Sequence, residues 1–87
     1  MGYFIQLTPR ARKDVKKIQR SPMKDTVVAI LKILQQNPWQ NPPPFKHLTG
    51  DLNGYISRRI NIQHRLVYQV FEEDKTVKIV SMWSHYE

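Results

Sequence analysis

The chain contains no cysteine. That excludes a disulfide framework, a thiol nucleophile and any thiolate metal site, and it fits a reducing, cytoplasmic setting. Acidic residues are scarce as well. Seven Asp and Glu face fourteen Lys and Arg, giving a formal charge of +7 and an isoelectric point near 10.0 on 87 residues. A balance so basic favours a polyanionic partner, nucleic acid first, with plain solubility as the bland alternative. Long apolar runs are also missing. The longest apolar segment, Val27 to Leu34, is interrupted by Lys32 and is far too short to span a bilayer. No stretch resembles a signal peptide, so no membrane association is expected. Three scattered histidines lack ligand spacing, and neither a metal nor a cofactor is expected. The length suits one domain, residues 1–87.

What is present centres on Asn53 to Val70, where three arginines and a histidine lie between two runs of strand-forming residues. A break at Asn61-Ile62-Gln63 predicts a hairpin with Ile60 facing His64. Side chains alternate along a strand, and cross-strand partners share a face. This register gathers Ile56, Ile60, Leu66, Tyr68 and Val70 on one face. Ser57, Arg59, Arg65 and Gln69 fall on the other, with Arg59 directly opposite Arg65. Like charges across a ladder are destabilising, by roughly 0.2–1 kcal/mol. A fold tolerates them more readily if an anion binds between them, and guanidinium forks match phosphate. Two solvated surface arginines remain the plain alternative.

The flanking chain reads in order. Tyr3 to Leu7 predicts a strand, and Thr8-Pro9 a helix start with Thr8 as N-cap. The helix from Pro9 to about Gln19 has a narrow apolar stripe of Ala11, Val15 and Ile18. Arg10, Arg12, Lys13, Lys16, Lys17 and Arg20 surround it with only Asp14 among them. That is either a solvated face or a phosphate-tracking one. Ser21-Pro22 breaks the helix, and Ser21 or Asp25 is the expected cap of a second, from Met23 to about Gln36. Its broad apolar face, Val27, Val28, Ile30, Leu31, Ile33 and Leu34, is ordinary core. Four prolines between Asn37 and Pro44 force an extended connection, with Trp39 as its expected anchor. Phe45 to Leu48 predicts a short strand, and Val77 to Ser84 a last one after the polar turn at Glu72 to Lys75. The order implies an α+β fold, with two N-terminal helices packed on one face of a small, mainly antiparallel twisted sheet and the opposite face open.

Pro42-Pro43-Pro44-Phe45-Lys46-His47, Leu52-Asn53-Gly54-Tyr55, Ser57-Arg58-Arg59-Ile60, His64-Arg65-Leu66-Val67-Tyr68 and His85-Tyr86 together resemble the Txe/YoeB toxins. These belong to the RelE/ParE superfamily of bacterial toxin–antitoxin modules. The resemblance covers essentially the whole chain and is strongest from Pro42 onward. It implies a RelE-like fold and a ribosome-dependent endoribonuclease that cuts mRNA in the A site. The implied partners are the ribosome and mRNA, a cognate antitoxin with an acidic, partly disordered segment, and operator DNA through the antitoxin complex. Homodimerisation occurs among relatives and is left open. The implied reaction is attack of a ribose 2′-hydroxyl on the adjacent phosphate. It needs a proton acceptor, a donor for the departing 5′-oxygen, and cations around the charged phosphorane. By resemblance, Arg65 is the principal phosphate-stabilising residue, Arg59 its support, Lys46 a neighbour of the scissile phosphate and His85 the general acid. Tyr86, His47 and Arg58 are implied substrate contacts.

One departure bears on catalysis. Pro43 stands where the family carries a glutamate proposed as general base, and Gln63 stands where it carries a second. His47 or Glu87 are candidate replacements. Alternatively Lys46, Arg59 and Arg65 supply enough electrostatic stabilisation without a dedicated base, the repair favoured here. Two competing functions stay open: a ParE-like DNA gyrase inhibitor, and a non-catalytic basic partner that helps its antitoxin repress their operon.

Overall fold

The computed structural model describes residues 2–84, the side chain of Ser84 excepted. Strand β1 (Phe4–Leu7) leads into helix α1 (Pro9–Gln19) and helix α2 (Lys24–Gln36). Strands β2 (Lys46–His47), β3 (Ile56–Arg59), β4 (Arg65–Phe71) and β5 (Thr76–Ser84) follow, with a short 3₁₀ turn at Gly50–Leu52. They form one five-stranded sheet in the order β1-β5-β4-β3-β2. Only β1 and β5 run parallel; the other pairs are antiparallel.

Thr8 caps α1 as its sequence predicts. Its backbone is extended (φ −72°, ψ 165°), Pro9 takes the first helical position, and its hydroxyl accepts from the Ala11 amide at 3.1 Å. The same hydroxyl donates to the Val80 carbonyl at 3.0 Å, so the cap also ties the helix to β5. The second helix starts differently from the expectation. Neither Ser21 nor Asp25 caps it. Met23 occupies the cap position without a side-chain bond, while the Ser21 hydroxyl accepts from the Met23 amide and donates to the Ile18 carbonyl. Ser21 therefore shapes the turn between the helices, and Asp25 sits in the first helical turn, where its charge suits the helix dipole.

Both helices press one face of the sheet. Ala11, Ile18, Val27, Ile30 and Leu34 meet Ile56, Ile60, Leu66, Tyr68, Val77, Ile79 and Met82 in a single core. Two helix faces differ from their sequence reading. Val28 is exposed, so the buried stripe of α2 is narrower than its composition suggests. In α1 the stripe contains Asp14, which lies three residues from Ala11 and four from Ile18 and is buried with them. Its carboxylate accepts from the Met82 amide at 3.0 Å. Strand β5 is irregular there, because Val67 faces Ser81 whereas Arg65 faces Ser84. That count leaves Met82 and Trp83 opposite Leu66 alone, the signature of a bulge. A charged side chain thus supplies the acceptor that the ladder lacks.

Candidate functional site

The hairpin register is the one the side-chain pattern predicts. Ile56 pairs with Tyr68, Ser57 with Val67, Arg58 with Leu66 and Arg59 with Arg65. The Ile60 amide donates to the His64 carbonyl at 2.9 Å and closes the loop. Lys46 on β2 pairs with Ser57, and Arg65 pairs on its other side with Ser84. Lys46, Ser57, Arg59 and Arg65 therefore share the sheet face away from the helices. They line a shallow pocket of about 240 Å³ together with Pro44 and Phe45. Ser57 is buried at its floor, Arg65 is half-buried and Lys46 and Arg59 are exposed.

Among the described residues, neither ion pair involves these three cations; the pairs join Arg10 to Asp14 and Lys75 to Glu72. Nor does any of the three make a side-chain hydrogen bond within that set. Three cations on one open pocket with no internal acid can surround an anion of two or more oxygens. The volume suits a phosphodiester group rather than a whole cofactor, since sites for larger ligands run to about 300–1,000 Å³.

Two expected substrate contacts lie elsewhere. His47 follows Lys46 on β2 and so projects to the opposite side. Its ring stacks on Trp39 (centroids 6.0 Å apart, planes at 21°) and meets the edge of Phe45. Arg58 is a clearer correction. It shares the core-facing side with Ile56 and Ile60 and is only 1% exposed. Its guanidinium donates to the Tyr68 hydroxyl and to the carbonyls of Pro38, Gln40 and Pro43. With those bonds made, Arg58 does not face the pocket. His85, Tyr86 and Glu87 lie outside the described residues; the chain runs beside Arg65 as far as Ser84. Gln63 is exposed at the hairpin tip, and its backbone amide donates to Asn61.

Trp39 anchors the proline loop only from outside. Its indole donates to Glu72 at 2.8 Å, and the Tyr3 hydroxyl donates to the other oxygen of the same carboxylate, also at 2.8 Å. These two donors, aided by Lys75, hold Glu72 below the usual carboxylate range. The residues that complete the pocket beyond the sequence reading are Pro44, Phe45 and Ser57. Ser57 was legible from its place on the arginine face; Pro44 and Phe45 were not, because loop geometry places them.

A second hollow, of about 490 Å³, separates the α1–α2 turn from the hairpin tip and contains none of these cations. His64 stacks on Trp83 there at 4.5 Å, with the Lys17 ammonium 5.8 Å from the Trp83 ring. The other basic residues of α1 stand exposed on the helix surface.

Comparison with known proteins gives consistent matches. The model of a family described as the YoeB-like toxin of bacterial type II toxin–antitoxin systems matches residues 8–86. A curated Toxin YoeB from Synechocystis is 36% identical over 58 residues, which are 67% of this chain and 65% of that relative. The chain spans just under two thirds of that relative and about half of two mycobacterial ones. Solved structures align over nearly their full length. A YoeB/ParE toxin from Agrobacterium tumefaciens superposes with a TM-score of 0.86 at 26% identity, over 95% of this chain and 99% of that one. YoeB of Staphylococcus aureus, in complex with YefM, superposes at 0.81 with 36% identity, over 97% and 98%. The same S. aureus protein as a dimer gives 0.76 with 33% identity over the same shares.

Proposed function

The chain belongs to the YoeB-like toxins of bacterial type II toxin–antitoxin systems, and on that premise we propose that it is a ribosome-dependent endoribonuclease acting in the cytoplasm. It cuts mRNA in the A site by attack of a 2′-hydroxyl on the adjacent phosphate. The products are a 2′,3′-cyclic phosphate and a free 5′-hydroxyl. The observation that carries this reading is the pocket of Lys46, Arg59 and Arg65, three cations on one sheet face with no acidic partner among the described residues.

The chemistry follows from that arrangement. Charge builds on the non-bridging oxygens as the phosphorane forms, and preorganised cations stabilise it more than the ground state. Arg65, on β4 between β3 and β5, is half-buried and the least exposed of the three. Arg59 and Lys46 complete the ring. His85 serves as general acid to the departing 5′-oxygen, a task that imidazole as a side-chain type can perform near neutrality. Tyr86 stacks on a base or orients the phosphate.

Among the described residues, no carboxylate lines the pocket. His47 projects from the other side of β2, which counts against it as the base. This lining supports electrostatic stabilisation without a dedicated base; Glu87, the other candidate base, lies outside the described residues. Removing one preorganised donor or cation typically costs about 10²–10³-fold, comparable with losing a base.

The partner is an antitoxin with an acidic, partly disordered segment that folds over the basic face and neutralises it, as the S. aureus YoeB–YefM complex suggests by analogy. Through that complex the chain reaches operator DNA, and the S. aureus dimer supports self-association as a further state.

The test is to mix the purified protein with programmed ribosomes and map mRNA 5′ ends by primer extension. Free mRNA and the His85→Ala and Arg65→Ala variants run alongside. The expected result is a ribosome-dependent cut in the A-site codon that disappears in both variants. Inhibited growth with no cut would overturn this reading in favour of gyrase inhibition. Antitoxin-dependent operator binding without toxicity would favour the non-catalytic partner, the alternative that Pro43 keeps alive.

A further inference from the structure

We infer that Arg58 is a positioning residue: it braces the loop from Pro38 to Pro44 so that Lys46 stands across the pocket from Arg59 and Arg65. The inference rests on the endoribonuclease reading for its catalytic consequence, but its geometry stands alone.

The need for a brace arises in the sequence. Pro38, Pro42, Pro43 and Pro44 carry no amide hydrogen, so this stretch has many carbonyl acceptors and few donors of its own. Its backbone bonding is correspondingly thin. The Gln40 amide donates to the Asn37 carbonyl, and the Gln40 side chain reaches the Pro42 carbonyl. Trp39 ties the outside of the loop to Glu72 and His47, but the inward carbonyls of Pro38, Gln40 and Pro43 still need donors from the sheet. Arg58 provides them. Its Nη2 donates to the Pro38 and Gln40 carbonyls at 3.0 and 2.9 Å, and its Nη1 to the Pro43 carbonyl at 2.6 Å. Its Nε donates to the Tyr68 hydroxyl at 3.1 Å, and that hydroxyl in turn donates to the Pro38 carbonyl at 2.9 Å. The Phe45 ring lies 5.0 Å from the guanidinium carbon.

The braced loop runs directly into Pro44, Phe45 and Lys46, one wall of the pocket. The other wall carries Arg59, the next residue to Arg58 on β3. One side chain therefore fixes both walls relative to each other. Only arginine fits this role. Its rigid fork reaches acceptors spread over three carbonyls and a phenol, whereas lysine radiates three donors from one point. The guanidinium has no carboxylate partner among the described residues. It adds a fixed positive charge behind the pocket.

The experiment uses Arg58→Lys, which keeps the charge and loses the fork, with Tyr68→Phe as a milder second variant that removes the acceptor of Arg58 Nε and one of the two donors to the Pro38 carbonyl. Thermal midpoints are measured first, and both are assayed well below their own midpoints. Ribosome-dependent cleavage is then split into kcat and KM. A positioning role predicts a kcat reduced about 10²-fold in Arg58→Lys with KM nearly unchanged, because a misplaced wall costs rate rather than binding. Tyr68→Phe should show a smaller loss of the same kind. A lowered midpoint with wild-type kcat in the folded protein would overturn the inference, since Arg58 would then be structural only. A raised KM with intact kcat would overturn it too, by making Arg58 a substrate contact.

A second readout separates this inference from the functional one. Inorganic phosphate is titrated into labelled protein while the backbone amides of Lys46, Arg59 and Arg65 are followed by NMR. In wild type all three respond together. In Arg58→Lys, Arg59 and Arg65 should respond and Lys46 should not. If Lys46 still follows the arginines, the brace is refuted even where cleavage is seen. If wild type cleaves nothing yet Lys46 uncouples in the variant, the brace stands and the endoribonuclease reading fails.

Discussion

Arg59 and Arg65 face each other across the β3–β4 ladder, and this sets stability against function. Consider Arg59→Gln, which keeps the aliphatic stem and removes one charge. Like charges directly opposed on a ladder cost roughly 0.2–1 kcal/mol. Arg59 is solvent-exposed, so water screens the pair and the lower half of that range, about 0.2–0.5 kcal/mol, applies. For a domain of this size 1 kcal/mol moves the melting point by about 4–8 °C, so the variant should melt roughly 1–4 °C higher than wild type. Screening adds a second signature. The Debye length falls from about 10 Å at 0.1 M salt to about 3 Å at 1 M, and the gain should fade across that interval. Cleavage should move the other way, falling about 10²-fold or more as one preorganised cation is lost. The assay is a pair of calorimetric melts at low and high sodium chloride beside the ribosome cleavage assay. A variant that melts below wild type at low salt would refute the reasoning. So would a gain that persists unchanged at high salt. The first result would mean that Arg59 already has a stabilising partner in the folded protein, and the second that the gain is not electrostatic.

Other perturbations test the elements that hold the pocket in place. Asp14→Ala leaves the Met82 amide unpaired in the core and should cost about 1–3 kcal/mol in denaturant titration, while Asp14→Asn, which keeps an acceptor, should cost clearly less. Burial raises the Tyr68 hydroxyl above its ordinary 10.0, outweighing the hydrogen bond and charge of Arg58. A neutral acid with a raised folded pKa contributes stability that is complete below the unfolded value and lost as pH rises through the folded one. Wild type should therefore lose stability above about pH 10, and Tyr68→Phe should flatten that limb; parallel alkaline limbs would contradict the assignment. Glu72 carries the opposite sign, since the Trp39 and Tyr3 donors and Lys75 lower it from 4.5. Its contribution is present above the unfolded value and lost as pH falls through the folded one. Melting points followed downward from pH 6 should fall less steeply in Glu72→Gln than in wild type.

The hairpin was legible because one assumption, a three-residue loop, sorted Ile56, Ile60, Leu66, Tyr68 and Val70 onto one side. Arg59 opposite Arg65 followed from the same step, and so did the pocket. That alternation also assigns Arg58 to the side of Ile56 and Ile60, away from the pocket; reading it by charge rather than by position missed its place behind the wall. Asp14 repeats the lesson on a helix. It lies three residues from Ala11 and four from Ile18, on the stripe itself. Both charges occupy slots that periodicity gives to the core, and both meet backbone that regular structure leaves unsatisfied. Arg58 serves the carbonyls of a loop whose prolines cannot donate, and Asp14 serves an amide stranded by the β5 bulge. The proline half of this was visible in the sequence, since four missing amide hydrogens announce acceptors in need of a donor. The bulge half was not, because a two-residue period carries no mark where one strand gains a residue. A charged residue in a core-facing slot is thus a pointer to irregular backbone nearby. Here one pointer leads to the wall of the pocket and the other to the last described turn of chain before His85.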